Sequence, residues 1–192
     1  MIRTKLNLSL LAVFLLYCIY YNGGLILLPI VFLPVLVHEL SHVLALRLLG
    51  QRITGFTPDA GGFCIQYEGN CAPRGHIAAA LAGPLGGALY ALLGLTGIDW
   101  LEKSAVFSLL LTGFNLLPLL PLDGGRIFLW LCVLRLGEKS GEKLCRSVGS
   151  ILLFLLLVGG LTLAVWKKST AVLAAAVWLL LFQDEDVMKE RQ

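Results

Sequence analysis

VFLPVLVHELSHVLALRLLG, residues 31–50, sets two imidazoles, a carboxylate and a hydroxyl in the middle of an otherwise apolar run. An ionisable glutamate between two histidines is costly to hold in an apolar setting, so such a cluster points to a site rather than to packing. On a helix, residues four apart share a face, so His38 and His42 can address one ion with Glu39 beside them. Neutral imidazole is a good zinc ligand, and three protein ligands plus a water make a catalytic zinc site. A neighbouring glutamate then serves as general base toward that water. Chance supplies roughly 0.002 such H-E-x-x-H matches in a chain of this composition, so the motif is specific. The structural alternative is a pair of hydrogen-bonded core histidines, with Glu39 neutralised by a cation such as Arg47.

The surroundings of the motif fix the class of protein. The 192 residues are 58% apolar and 14% charged. An average soluble domain is nearer 45–50% apolar and about 25% charged, so too few charges remain to solvate a soluble surface. Six hydrophobic segments stand out: 6–21, 25–49, 77–98, an interrupted 104–135, 148–166 and 170–182. A crossing helix needs about 20 residues, so the first and last are short. The basic, then apolar N-terminus lacks a small-x-small cleavage site and reads as a retained first span. The expected fold is therefore mainly α: a polytopic transmembrane helical bundle of about six spans, forming one membrane-embedded domain over residues 1–192.

Basic residues orient that bundle. With the N-terminus inside, the inner loops carry Arg3, Lys5, Arg52, Arg74, Lys139, Lys143, Arg146, Lys189 and Arg191. The outer loops carry Lys103, Lys167 and Lys168. Nine against three favours both termini in the cytoplasm, with the Lys167–Lys168 pair dissenting. A net charge of +3 gives no reason to expect nucleic acid. The five cysteines are odd in number and lack zinc-finger spacing, so neither a disulfide framework nor a Cys zinc site is expected. Residues 51–75 are polar and turn-rich; within them Phe63, Ile65 and Tyr67 alternate with Cys64, Gln66 and Glu68. That period of two predicts a small cytoplasmic-side β-hairpin.

Two histidines leave the ligand set open. His76 and Asp123 are the candidates for the third ligand. Asp123 lies in FNLLPLLPLDGGRIFLW, where Asn115, Pro118, Pro121, Gly124 and Gly125 forbid an unbroken helix. Irregular backbone at membrane depth is tolerated where it is buried in protein or lines a wet cavity. The carboxylate could equally cap a helix starting near Gly124. Depth favours the ligand role. The His38–His42 pair lies about ten residues, ~15 Å, from the cytoplasmic end of its helix, and Asp123 about twelve, ~18 Å, from the end of its own. His76 falls near the inner interface.

Three stretches in this order, HELSH (38–42), LAGPLGG (81–87) and NLLPLLPLDGG (115–125), resemble the site-2 protease family of intramembrane zinc metalloproteases over residues 30–136. The short chain is similar to the compact, sporulation-type branch. A nucleotide-binding domain often follows the last span in that branch, and none is expected here, where the sequence stops at Gln192. The resemblance implies that His38, His42 and Asp123 bind one zinc ion, that Glu39 is the base, and that Asn115 holds the substrate backbone or the developing oxyanion. It also implies a membrane-protein substrate, cut within or near its transmembrane segment, and residence in a bacterial cell membrane. For Asn115, a helix-ending role is the alternative. Gly83, Gly86 and Gly87 most simply permit close helix approach. The strand at 62–68 could take an extended substrate by strand addition, or be a purely structural hairpin. Two rival functions share the motif: a metal transporter, for which segment 77–98 offers few polar ligands, and a non-proteolytic membrane protein that binds zinc.

Overall fold

The structure is a computed structural model that describes residues 27–59, 62–68, 72–167 and 176–177. Its elements are α1 (Leu27–Leu48), β1 (Arg52–Asp59), β2 (Gly62–Glu68), α2 (Pro73–Ala91), a short 3-10 helix (Leu92–Thr96), α3 (Asp99–Asn115), α4 (Asp123–Leu136) and α5 (Glu138–Lys167). They fall into two compact units. One holds α1, the strands, α2 from Leu81 onward, and α3; the other holds Ala72–Ala80 and everything from Leu116.

In the first unit, α1 is apolar on nearly every side, so ordinary amphipathy does not decide which face it hides. Phe32, Leu36, Leu40, Leu44 and Leu48 form an exposed stripe at four-residue spacing, while Ile30, Pro34, His38 and Leu46 lie on the buried one. The polar side chain His38 is thus on the inward face, the reverse of a helix at a water surface. The helix closes at Gly50, whose φ of +74° suits a residue without Cβ; Gly50 N donates to Arg47 O at 3.0 Å and Gln51 N to Leu46 O at 3.0 Å.

Pro34 has no N–H, which leaves the carbonyl of Ile30 without its helical donor. Ser104 of α3 supplies one, its Oγ donating to Ile30 O at 3.0 Å while it also pairs with Tyr90 Oη of α2 at 2.8 Å. Ser108, one turn further along α3, donates to Gly87 O at 2.8 Å. Such bonds hold helices together where no water competes for them. The two strands pair antiparallel from Arg52↔Glu68 to Asp59↔Gly62, with a bulge between Ile53 and Gly55.

In the second unit, α4 and α5 pack closely on either side of Gly137, which sits at a φ of +79°. Leu120, Leu129 and Cys145 form a core flanked by Phe128 and Val133. Gly141 brings α5 against α4: a Cβ there would stand 2.7 Å from Val133 N and 2.8 Å from the Cys132 carbonyl carbon. His76, from the first turns of α2, stacks on Trp130 with ring centres 4.1 Å apart and planes 6° from parallel.

Among the described residues three helical stretches are long and apolar enough to cross a membrane: Leu27–Leu48, Pro73–Thr96 and Glu138–Trp166. The interrupted segment 104–135 becomes α3 and α4, of 17 and 14 residues, with the break between Asn115 and Asp123. The segment 148–166 begins ten residues earlier, at Glu138, because a polar stretch continues the same helix. Segments 6–21 and, apart from residues 176–177, 170–182 lie outside the described residues.

Candidate metal centre

His38 and His42 occupy successive turns of α1, and their Nε2 atoms stand 3.3 Å apart. The rings meet edge to face, with centres 4.9 Å apart and planes at 79°. Both nitrogens therefore converge on one point. Two nitrogens bound to the same zinc at about 2.0–2.1 Å with tetrahedral angles are about 3.3–3.4 Å apart. The separation of the pair matches that spacing. His38 is 4% exposed, so its imidazole belongs to the protein interior, while His42 and Glu39 are half-buried beside it.

What keeps the converging point clear is a glycine on α2. A Cβ on Gly83 would run into His42 Nε2 and come within 2.6 Å of His42 Cε1 and 2.8 Å of His38 Nε2. Its neighbours on the same helical face serve close packing. A Cβ on Gly86 would strike Ser41 Oγ and lie 2.7 Å from Ser41 Cβ, and one on Gly87 would strike Thr112 Oγ1. The stretch LAGPLGG thus has two tasks. Close approach was legible from the small residues, but the pressing of Gly83 against the imidazoles was not; its one signal is that 83, 86 and 87 share a helix face.

Gly83→Ala should therefore lower zinc affinity by about tenfold or more, the usual cost of disturbing a residue that supports a metal ligand. Zinc titration of the purified variant measures this. Wild-type affinity would show that the imidazoles do not need the space.

Asp123 lies in the second unit, 7% exposed, as the first residue of α4. The cap position is Leu122, so the helix starts at the carboxylate rather than just after it. The turn before it, 116–122, packs against the first turn of α4 because Gly124 and Gly125 lack side chains. A Cβ on Gly124 would lie 2.5 Å from Leu117 O, and one on Gly125 2.5 Å from Leu119 O. Leu119, Leu120 and Leu122 are buried there. The two glycines of L-D-G-G are thus what allows a buried carboxylate at a sharp helix start. Asn115 ends α3, with Nδ2 donating to Leu111 O at 3.0 Å, so its amide secures the last turn of its own helix. His76, the other sequence candidate for a third ligand, carries the Trp130 stack in the second unit.

Residues 8–138, well over half the chain, match the Peptidase M50B-like family. The chain belongs to that family. It is 26% identical over 147 residues to a zinc metalloprotease of Methanocaldococcus jannaschii, covering 71% of this chain and 43% of the relative. It thus spans less than half that relative's length. Its fold is similar to that of a site-2 protease from Methanocaldococcus jannaschii, with a TM-score of 0.71 and 21% identity, covering 93% of this chain and 86% of the other. The site-2 protease family is therefore the right one, as HELSH, LAGPLGG and L-D-G-G together suggest. Three apolar helices and membership of this family of membrane proteases make the chain an integral membrane protein. His38, His42 and Asp123 are each of a residue type that binds zinc.

Proposed function

We propose that this chain is an intramembrane zinc endopeptidase that hydrolyses a peptide bond within or near the transmembrane segment of a membrane-protein substrate. The observation that carries the reading is the 3.3 Å separation of His38 and His42 Nε2, matched to one zinc ion and kept clear by Gly83. In this reading His38, His42 and Asp123 hold the ion. Zinc supplies Lewis acidity there, making a water nucleophilic near neutral pH and polarising the scissile carbonyl.

The protein's own groups do the rest. Glu39 takes a proton from the attacking water and returns it to the departing amide nitrogen, one carboxylate acting first as base and then as acid. Asn115, at the end of α3, steadies the substrate backbone or the negative charge that develops on its carbonyl oxygen. An extended substrate adds to the β1–β2 pair through backbone hydrogen bonds. Both termini lie on the cytoplasmic side of a bacterial cell membrane, in line with the nine-to-three bias of basic residues.

The test is cleavage of a panel of single-span membrane proteins by the full chain in phosphatidylcholine vesicles. A zinc chelator should abolish cleavage, and added zinc should restore it to the starting rate. Cleavage indifferent to the chelator, or none across the panel, would refute the assignment.

A further inference from the structure

Helix α5 has 30 residues, about 45 Å at 1.5 Å per residue, against a hydrocarbon layer of about 30 Å. Part of it must stand outside the apolar layer, and its charges say which part. Glu138, Lys139, Glu142, Lys143 and Arg146 all fall in the first nine residues, and none occurs from Ser147 to Trp166. Trp166 is 88% exposed at the other end, where an indole suits the membrane interface. From Ser147 to Trp166 is about 28 Å, enough to fill the hydrocarbon. Arg146, Lys143 and Lys139 then lie about 1.5, 6 and 12 Å beyond the boundary at Ser147, at and just outside the depth of the lipid headgroups.

The three cations also share a face. At about 100° per residue, Lys143 and Arg146 lie about 40° and 20° to either side of Lys139, and all three are exposed. Gly141 and Cys145 lie about 160° and 120° away, on the side packed against α4, where Cys145 Sγ meets Gly125 O at 3.9 Å. Glu142 borders the basic face, and Glu138, also exposed, lies about 100° from Lys139. Three cations thus cluster on the outward side of a helix whose opposite side supports the turn of Gly124 and Gly125.

We propose that Lys139, Lys143 and Arg146 form a docking face for the phosphate headgroups of anionic phospholipids in the leaflet around this end of α5. Depth singles out lipid over a soluble acidic protein, since two of the three cations lie within the headgroup layer and the long Lys139 side chain can reach back to it. Arginine offers a phosphate two parallel donors and the lysines add point charges. A basic residue at a membrane surface strengthens anionic lipid binding by about fivefold, so losing three should cost at least about tenfold after allowance for Glu142.

The experiment uses the full chain in phosphatidylcholine vesicles with trace spin-labelled phosphatidylglycerol or spin-labelled phosphatidylcholine, comparing how strongly each lipid associates with the protein. Wild type should prefer phosphatidylglycerol, and high salt should weaken that preference. The triple variant Lys139→Gln, Lys143→Gln, Arg146→Gln should fall to the phosphatidylcholine level, while Lys139→Arg with Lys143→Arg should keep the preference. No preference in wild type, or one that survives the triple variant, would overturn the proposal. Binding of an acidic peptide to this face without any lipid preference would also overturn it, assigning the face to a protein. Membrane insertion alone underlies this inference, so its failure leaves the peptidase reading untouched.

Discussion

Replacing Glu39 by glutamine should reduce peptide cleavage by about a hundredfold to ten-thousandfold while leaving zinc bound. The change keeps shape and hydrogen-bonding reach but removes the basic oxygen. In the proposed mechanism Glu39 moves the proton twice, so no step of the hydrolysis escapes the loss. The imidazoles of His38 and His42 are untouched, and they stand 3.3 Å apart on successive turns of α1. Metal content and activity should therefore separate. Co-expression with a membrane substrate gives the cleaved fraction, and elemental analysis of the purified protein gives the zinc. A variant that cuts as fast as wild type would remove the base from the mechanism. One that loses zinc together with activity would instead make Glu39 a ligand or a structural support.

How much of this was legible in the sequence depended on which physical signal carried it. The histidine pair was readable because helical geometry dictates its placement: any helix through 38–42 puts two imidazoles on one face. The break after Asn115 was readable because Pro118, Pro121 and the paired glycines cannot all sit inside a helix, and α3 does end at Asn115. The start of α5 was hidden for the opposite reason. EKSGEK carries no hydropathy signal, yet these residues tolerate a helix and extend the apolar run that follows. Hydropathy marks where a helix meets lipid, not where it begins.

Ser104 and Gly83 were hidden more deeply. Pro34 announces that the Ile30 carbonyl needs a donor but not that the donor comes from 74 residues away. Gly83 looks like any small residue of a close helix contact until the side chain opposite is known to be an imidazole. Asp123 lies between these cases. Its proximity to the two glycines suggested a helix start, and the structure moves that start onto the carboxylate itself. The ligand and helix-starting roles thus meet in one side chain, the first of α4.

That shift makes Asp123→Asn the sharpest test of the ligand set. Asparagine has nearly the shape of aspartate, so the buried turn of residues 116–125 keeps its packing, and asparagine is tolerated at helix starts. A residue whose only task is to begin α4 should survive the change with a small loss of stability and full zinc. A residue that binds the ion loses its charge, and zinc affinity should fall by about a hundredfold or more, with activity falling alongside it. Thermal unfolding of the metal-free protein reads the structural part, and zinc titration reads the ligand part, so the two roles cannot be confused. A second comparison asks whether Asp123 and His42 act on one ion. If they do, Asp123→Asn combined with His42→Ala should cost far less affinity than the two single losses together, because the site is already lost after the first change. Fully additive losses would mean separate effects, and Asp123 would then leave the ligand set.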